Sequence, residues 1–157
     1  MDKCYAFLVT VMNRHLNEVG GSIYSIGAGY GNGYVAVPPG HPLHGLHYDA
    51  VDVDVHGGLT LADGTEFIYE NPMIKREDIE FLDGEVPEGY WIFGFDTCHA
   101  FDSLESWPRE RVIEETMKLK AVLETVMKLK DADIEFLKKI GAFGDLTVRR
   151  RREGDTI

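Results

Sequence analysis

The sequence feature that most constrains the fold is a one-sided apolar stripe in the C-terminal half of the chain. Its positions recur at alternating intervals of four and three residues: Val112, Thr116, Leu119, Leu123, Val126 and Lys130. This spacing predicts an amphipathic helix, with Pro108 in its first turn and Ser106 or Asp102 as its cap. Residues 131–140 predict a second helix that ends at Gly141. An apolar helical face needs an apolar surface to cover, and the preceding segments have the composition of strands.

Two of these segments carry the strongest strand patterns. In residues 51–56, valines alternate with aspartates and a histidine, which is typical of a strand with one buried face. Residues 90–95 are almost all aromatic or branched and predict a central strand buried on both faces. Residues 59–67 predict a further strand or turn, and the charged segment 71–88 predicts an irregular excursion with one short helix.

The N-terminal pattern is compatible with more than one secondary structure. Residues 4–19 fit either a helix or a strand, and the helix is favoured because residues 15–20 have the pattern of a helix end. Residues 22–26 and 33–37 predict a β-hairpin around a glycine-rich turn with an Asn-Gly pair. The order of elements predicts an α+β fold, a mainly antiparallel sheet with a long C-terminal helix packed on it. We expect one domain over residues 1–148 and a basic, flexible tail over 149–157.

The charge of the 157-residue chain is unevenly distributed. Residues 31–107 contain 15 acidic side chains and only two basic ones, Lys75 and Arg76, together with five of the six histidines. Nucleic-acid binding needs Lys and Arg to neutralise phosphates, so this distribution argues against it. An anionic ligand would have to be held by backbone N–H groups or by a bound metal. The two cysteines, and the lack of a long apolar run or secretory signal, favour a cytoplasmic protein without membrane partners.

Polar residues with catalytic potential follow both strong strands. His56 ends the first, and Gly57 and Gly58 after it would let a ligand approach the backbone closely. Asp96 and His99 follow the second strand. Side chains at the ends of buried strands are held by a rigid scaffold while the loops leave room for a ligand. The sequence therefore predicts a site at these residues, bordered by the loop over 41–49.

Three segments resemble a set of small bacterial and bacteriophage proteins without an assigned activity. The segments are VAVPPGHPLHGLHYD (35–49), VDVHGGLT (53–60) and WIFGFDTCHAFD (91–102). They carry the shared motifs V-P-x-G-H-P, V-H-G-G-L-T and G-F-D-x-x-H, and the resemblance covers about residues 33–102. It implies a bacterial cell or a phage-infected host as the setting, and it transfers no catalytic role.

A metal site is the first chemistry that these residues could support. His41, His44 and His47 are three positions apart, and Asp54 can join them as ligands of Zn²⁺ or a similar divalent ion. The wider set of candidate ligands also contains His56, His99, Asp49, Asp52, Asp96 and Asp102. The alternative is that the three loop histidines are partly exposed or bond to backbone groups, with no metal cofactor.

Acid–base catalysis is the second chemistry. His56 and His99 could act as a base and an acid, with Asp96 or Asp54 orienting an imidazole and Thr60 nearby. The alternative is that Asp96 caps the following turn and His99 packs against the sheet. A nucleophilic role for Cys98 is less favoured than a buried, inert thiol.

Binding without turnover is the remaining alternative. Aromatic residues flank the motifs, and Tyr48 and Trp91 are the candidates to contact a substrate together with Gly57, Gly58 and Thr60. The leading hypothesis is a hydrolase-type enzyme that acts on a small polar, nucleotide-like molecule through His56, Asp96 and His99. The rival hypothesis is a non-catalytic protein that sequesters a small molecule or has a regulatory role. The long helix could also form a homo-oligomer interface.

Overall fold

The structure, a computed structural model, describes residues 3–19, 27–128 and 146–148. Its strands and helices are β1 (Tyr5–Val9), α1 (Val11–Val19), β2 (Asn32–Val37), β3 (Val51–Val53), β4 (Leu61–Gly64), α2 (Glu66–Tyr69), β5 (Ile79–Phe81), β6 (Trp91–Phe95), α3 (Arg109–Met127) and β7 (Leu146–Val148). Strands β4, β6, β2, β1 and β5 form one sheet in that order, and every neighbouring pair is antiparallel. The long helix α3 packs on this sheet, so the predicted α+β fold class is confirmed.

The core lies between α3 and the sheet. Leu119, Leu123 and Val126 of the predicted stripe are fully buried, in one cluster with inward-facing side chains of β2 and β6. The three valines of residues 51–55 are buried in the same cluster, and the two aspartates between them are exposed. The alternating pattern therefore predicts the buried face correctly, and β3 pairs with β7 rather than with the main sheet.

The strand predicted to be buried on both faces is β6, an interior strand of the sheet. β6 lies between β4 and β2, and residues 92–95 are buried. Residues 33–37 form most of β2, whose neighbours in the sheet are β1 and β6. The predicted hairpin strand 22–26, the second helix 131–140 and the tail 149–157 lie outside the described residues, and the single domain over 1–148 stays a prediction.

Three local predictions differ from the structure. Residues 5–9 form β1, and the expected helix begins only at Val11, because β1 is hydrogen-bonded between β2 and β5 in the sheet. The segment 71–88 contains the short strand β5 as well as a 3-10 turn over Arg76–Asp78. Pro108 is at the N-cap position of α3, which has no side-chain cap, so neither Ser106 nor Asp102 caps the helix.

Candidate functional site

Two loops meet at one end of β6 and bring His56, His99 and Asp102 together. The chain turns directly after Val55, since the N–H of Gly58 donates to the Val55 carbonyl at 2.8 Å. Beyond β6, the N–H of Asp102 donates to the His99 carbonyl at 3.0 Å and closes a second turn. As a result, both oxygens of the Asp102 carboxylate lie 2.9 Å from His56 Nε2. One of them, Oδ2, also lies 3.2 Å from His99 Nδ1.

Asp102 is buried and ionised. Burial by itself would raise the pKa of this carboxyl, but hydrogen bonds from His56 and from the His99 amide outweigh it and hold the pKa below its usual range. An ionised carboxylate only accepts hydrogen bonds, so His56 Nε2 and His99 Nδ1 both donate to it. His99 Nε2 lies 3.5 Å from the Asp96 carboxylate on its other side, so the His99 ring stands between two carboxylates.

Neighbouring elements fix the two rings. The His56 amide donates to Glu115 of α3 at 2.8 Å, and the His56 ring packs on Trp107 with 4.2 Å between ring centroids. Gly57 has φ +71°, and a Cβ there would lie 2.6 Å from His99 Nε2 and still closer to Cε1. Only glycine fits this backbone conformation and this approach to His99. The close approach that the Gly-Gly pair suggested is therefore made by a side chain of the site itself.

The three side chains could hold a metal ion. Each offers one ligand atom, and these atoms all lie within 4.8 Å of one another. Within the described part of the chain, this is the one group of three or more histidine, cysteine, aspartate or glutamate side chains with such geometry. Two imidazole nitrogens and a carboxylate oxygen are ligands that suit zinc and related divalent ions.

The loop histidines do not belong to this group. His41 is buried: its Nδ1 accepts from the Leu43 amide, so its Nε2 donates to the Leu123 carbonyl at 2.7 Å. Burial, the largest influence, lowers the pKa of His41 and keeps the ring neutral. His44 Nε2 bonds to the carbonyl oxygen of Gly89, and His47 Nδ1 accepts from the Asp49 amide in a 3-10 turn. All three rings bond to the backbone, which is the non-metal alternative raised from the sequence.

Two other predicted binding residues, Trp91 and Tyr48, also lie away from the group. Trp91 begins β6, and a strand rises about 3.3 Å per residue, which places it about 13 Å along the strand from Phe95. The Trp91 indole donates to the carbonyl of Leu46, in the loop that holds Tyr48. Thr60, in contrast, is exposed at the site end of β6, where its amide donates to the Gly94 carbonyl. The loop over 41–49 therefore borders the opposite end of β6 from His56 and His99.

The other predicted residues lie near the group in different ways. Asp96 accepts from the Cys98 amide at 3.0 Å, as a turn cap does, and also faces His99. Asp54 is exposed at the rim, 3.8 Å from Lys118. Gly58 has φ +77° and open space beside it. Burial, followed by the charges of Asp96 and Asp102, raises the pKa of Cys98 to about 11, so this thiol is protonated and a weak nucleophile, as expected.

Three residues of the site have no role assigned from the sequence, and a fourth, Asp102, has only a secondary one. Asp102 is there only a candidate helix cap or additional ligand, although its spacing from His99, H-x-x-D, is a signal for a shared turn. Trp107, Arg111 and Glu115 come from α3 and the segment before it, and they line a cleft of about 390 Å³ beside His56. No local pattern links a helix to a distant strand end, so only the tertiary structure identifies these three.

Fold and site together define an α+β protein with a buried carboxylate shared by two histidines at the end of the interior strand β6. Comparison of the chain with protein-family models, with curated proteins and with solved structures finds no match. The motif resemblance to bacterial and phage proteins therefore stays a prediction. Within the described ranges, none of the helices has the length and apolar character of a membrane-spanning segment.

Proposed function

We propose that this protein is a hydrolase-type enzyme that acts on a small polar molecule at a divalent metal site formed by His56, His99 and Asp102. The observation that carries the proposal is the position of His99 between two carboxylates, 3.2 Å from Asp102 and 3.5 Å from Asp96. In metal sites, a ligating histidine commonly turns one ring nitrogen to the metal and donates its other N–H to a carboxylate. Asp96 fits the role of the carboxylate that accepts from His99 Nε2, which is the orienting role predicted for it, and a metal would replace the proton that His99 Nδ1 donates to Asp102.

The surroundings of the group favour catalysis over a closed structural site. Three protein ligands leave a coordination position open, and the group adjoins the cleft beside His56. A zinc-class ion held by these residues would supply Lewis-acid activation of a water molecule for hydrolysis. The residues around it keep the ligands in place: Glu115 holds the His56 backbone, and Trp107 packs on the His56 ring.

Metal analysis with matched histidine variants tests the site. After equilibration with zinc and dialysis, we expect the wild-type protein to retain one equivalent of zinc by mass spectrometry. His56→Ala and His99→Ala should lose it, because each removes one of three ligands. His47→Ala is the control, since this partly exposed loop histidine bonds only locally, and it should retain the metal. Retention of zinc by both His56→Ala and His99→Ala would contradict the proposed ligands.

Product formation tests the enzyme class. We expect the zinc-loaded protein to hydrolyse at least one member of a panel of nucleotides and phosphate or carboxylate esters, and His56→Ala and His99→Ala to reduce this at least about a hundredfold. A protein that binds no metal and releases no product from the panel would refute the proposal. A small molecule released intact on denaturation would instead favour the sequestering function.

A further inference from the structure

Arg111 differs from the other arginines in the described part of the chain because it has no carboxylate partner there. Arg14 pairs with Asp78, Arg76 with Glu85, and Arg109 with Glu80. Arg111 is on α3 and lines the cleft beside His56, where Glu114 and Glu115 also lie. Its guanidinium is nevertheless not within ion-pair distance of either of them. A charged guanidinium left without a counter-ion at the edge of a candidate active site is available to a ligand.

Two neutral contacts hold Arg111 in this position. Its guanidinium carbon lies 4.0 Å from the centroid of the Trp107 ring, and Nη1 donates to the Ser106 carbonyl at 2.6 Å. These contacts order the side chain without neutralising its charge. Trp107 also packs on His56, so one indole ring contacts both the guanidinium and a proposed metal ligand.

The acidic residues of the cleft are largely engaged elsewhere. Glu115 accepts from the His56 amide, and Asp54 faces Lys118 at 3.8 Å. Glu114 is exposed and remains as the nearby carboxylate without a partner in the described ranges. The α3 part of the cleft is formed by Arg111, Glu114 and Glu115, so Arg111 is the cationic side chain that the helix contributes to it.

We propose that Arg111 binds an anionic group of the substrate, a phosphate or a carboxylate, while the His56–His99–Asp102 group acts on the bond to be hydrolysed. This inference rests on the proposed function and narrows its substrate class to small molecules that carry an oxyanion. The planar guanidinium matches such a group because it can donate two parallel N–H bonds to a pair of oxygens. Residues 31–107 contain only two basic side chains, and Arg111 therefore supplies the positive charge for an anionic ligand from outside that segment.

The test measures anion binding to the metal-free protein. Binding is monitored in an NMR titration by the chemical shift of the Trp107 indole N–H. Inorganic phosphate and acetate are titrated separately, so the two arms distinguish a phosphate site from a carboxylate site. We expect saturable binding of at least one anion, weakened about tenfold or more by Arg111→Gln. Arg109→Gln is the matched control: it removes the same charge from the same helix turn, but its partner is Glu80 outside the cleft, and the affinity should change less than about twofold.

A second variant tests the sign of the effect. Glu114→Gln removes the unpartnered carboxylate of the cleft and should tighten anion binding a few-fold, whereas Arg111→Gln weakens it. Equal weakening by Arg111→Gln and Arg109→Gln would show general charge attraction and overturn the inference. So would the absence of saturable binding of either anion to the wild-type protein.

The inference and the proposed function can fail separately. Anion binding is measured without metal and without turnover, so a protein that neither keeps zinc nor hydrolyses the panel could still show Arg111-dependent binding. Conversely, if zinc retention and hydrolysis are found but Arg111→Gln leaves both anion affinity and the KM for anionic substrates unchanged, the Arg111 assignment alone is wrong.

Discussion

At the scale of single residues, the turn over 99–102 combines the central interaction of the site with backbone strain. Asp102 accepts hydrogen bonds from two imidazoles and from the His99 amide. Phe101, just before it, has φ +72° and is 99% exposed. A non-glycine residue in the left-handed region costs about 1–2 kcal/mol, and such strain is often found at functional sites. Phe101 makes little packing contact to compensate, so the hydrogen bonds of Asp102 stabilise this turn.

The paired glycines of the other loop give a matched test of how closely His99 is constrained. Gly57→Ala and Gly58→Ala both place a side chain at positive φ, and each should lower the free energy of unfolding by about 1–2 kcal/mol. Only a Cβ at Gly57 would collide with the His99 ring, because the space beside Gly58 is open. Urea unfolding should therefore show this backbone loss in both variants and a further loss in Gly57→Ala, and zinc retention should fall in Gly57→Ala alone. Equal zinc retention by the two variants would show that Gly57 does not position His99.

At the scale of elements, α3 both completes the core and carries residues to the site. Its Thr116 is fully buried, where the sheet approaches closely: a Cβ at Gly33 of β2 would collide with the Thr116 hydroxyl. That hydroxyl donates to the Val112 carbonyl at 2.7 Å, so a polar atom is satisfied inside the apolar stripe. The same packing places Glu115 against the His56 amide and Arg111 at the cleft. The position of the helix on the sheet therefore sets the geometry of the site.

The packing of α3 predicts different effects for two neighbouring positions. Leu119 is fully buried against the sheet, and Leu119→Ala should lower the free energy of unfolding by about 2–5 kcal/mol through lost burial and the cavity left behind. Met117 is 38% exposed on the other side of the helix, and Met117→Ala should change the free energy of unfolding by less than about 1 kcal/mol. Urea denaturation with a common slope for all variants measures both values. Equal losses would mean that α3 is not docked in this orientation.

At the scale of the whole molecule, ion pairs connect the acidic middle of the chain to its two ends. Arg14 of α1 pairs with Asp78 just before β5, and Arg109 of α3 pairs with Glu80 within β5. Lys120, also on α3, pairs with Asp83 just beyond β5. The acidic excess of residues 31–107 is thus partly balanced in three dimensions by basic residues from outside that segment.

These pairs predict that stability falls on acidification. The hydrogen bond from Arg14 is the largest influence on Asp78, and that from Arg109 is the largest on Glu80; each lowers the pKa of its carboxyl. In the unfolded chain, Asp and Glu have pKa values of about 3.9 and 4.3. The stability that these two carboxylates contribute is therefore complete above about pH 5, and it is lost as the pH falls through their lower folded-state pKa values.

The measurement is the free energy of unfolding between pH 7 and 3 for the wild type and for Asp78→Asn and Glu80→Gln. Both variants should be less stable at neutral pH and should lose less on acidification, which gives a flatter profile. Glu85→Gln is the control, since Glu85 and Arg76 form an exposed pair and such pairs contribute little. A profile as steep in Asp78→Asn and Glu80→Gln as in the wild type would contradict the proposed linkage.

Local patterns in the sequence were sufficient for several features of this protein. The spacing of Leu119 and Leu123 predicts α3 and its buried face, and the alternation in residues 51–55 predicts which side chains of β3 face the core. The polar strand ends point to His56 and His99. Periodicity and polarity are properties of neighbouring residues, so they can be identified without knowing which strands pair.

Only the tertiary structure decides which of the candidates meet. Residues 5–9 become a strand because two other strands pair with them, which a helical periodicity cannot reveal. Trp91 and His99 belong to one sequence motif, yet β6 separates them, whereas Asp102 meets His56 across 46 positions. Arg111 comes from outside the acidic segment and reaches its cleft because α3 folds back over the sheet. Chain topology determines which strand ends and helix turns share a site, and that information is not local.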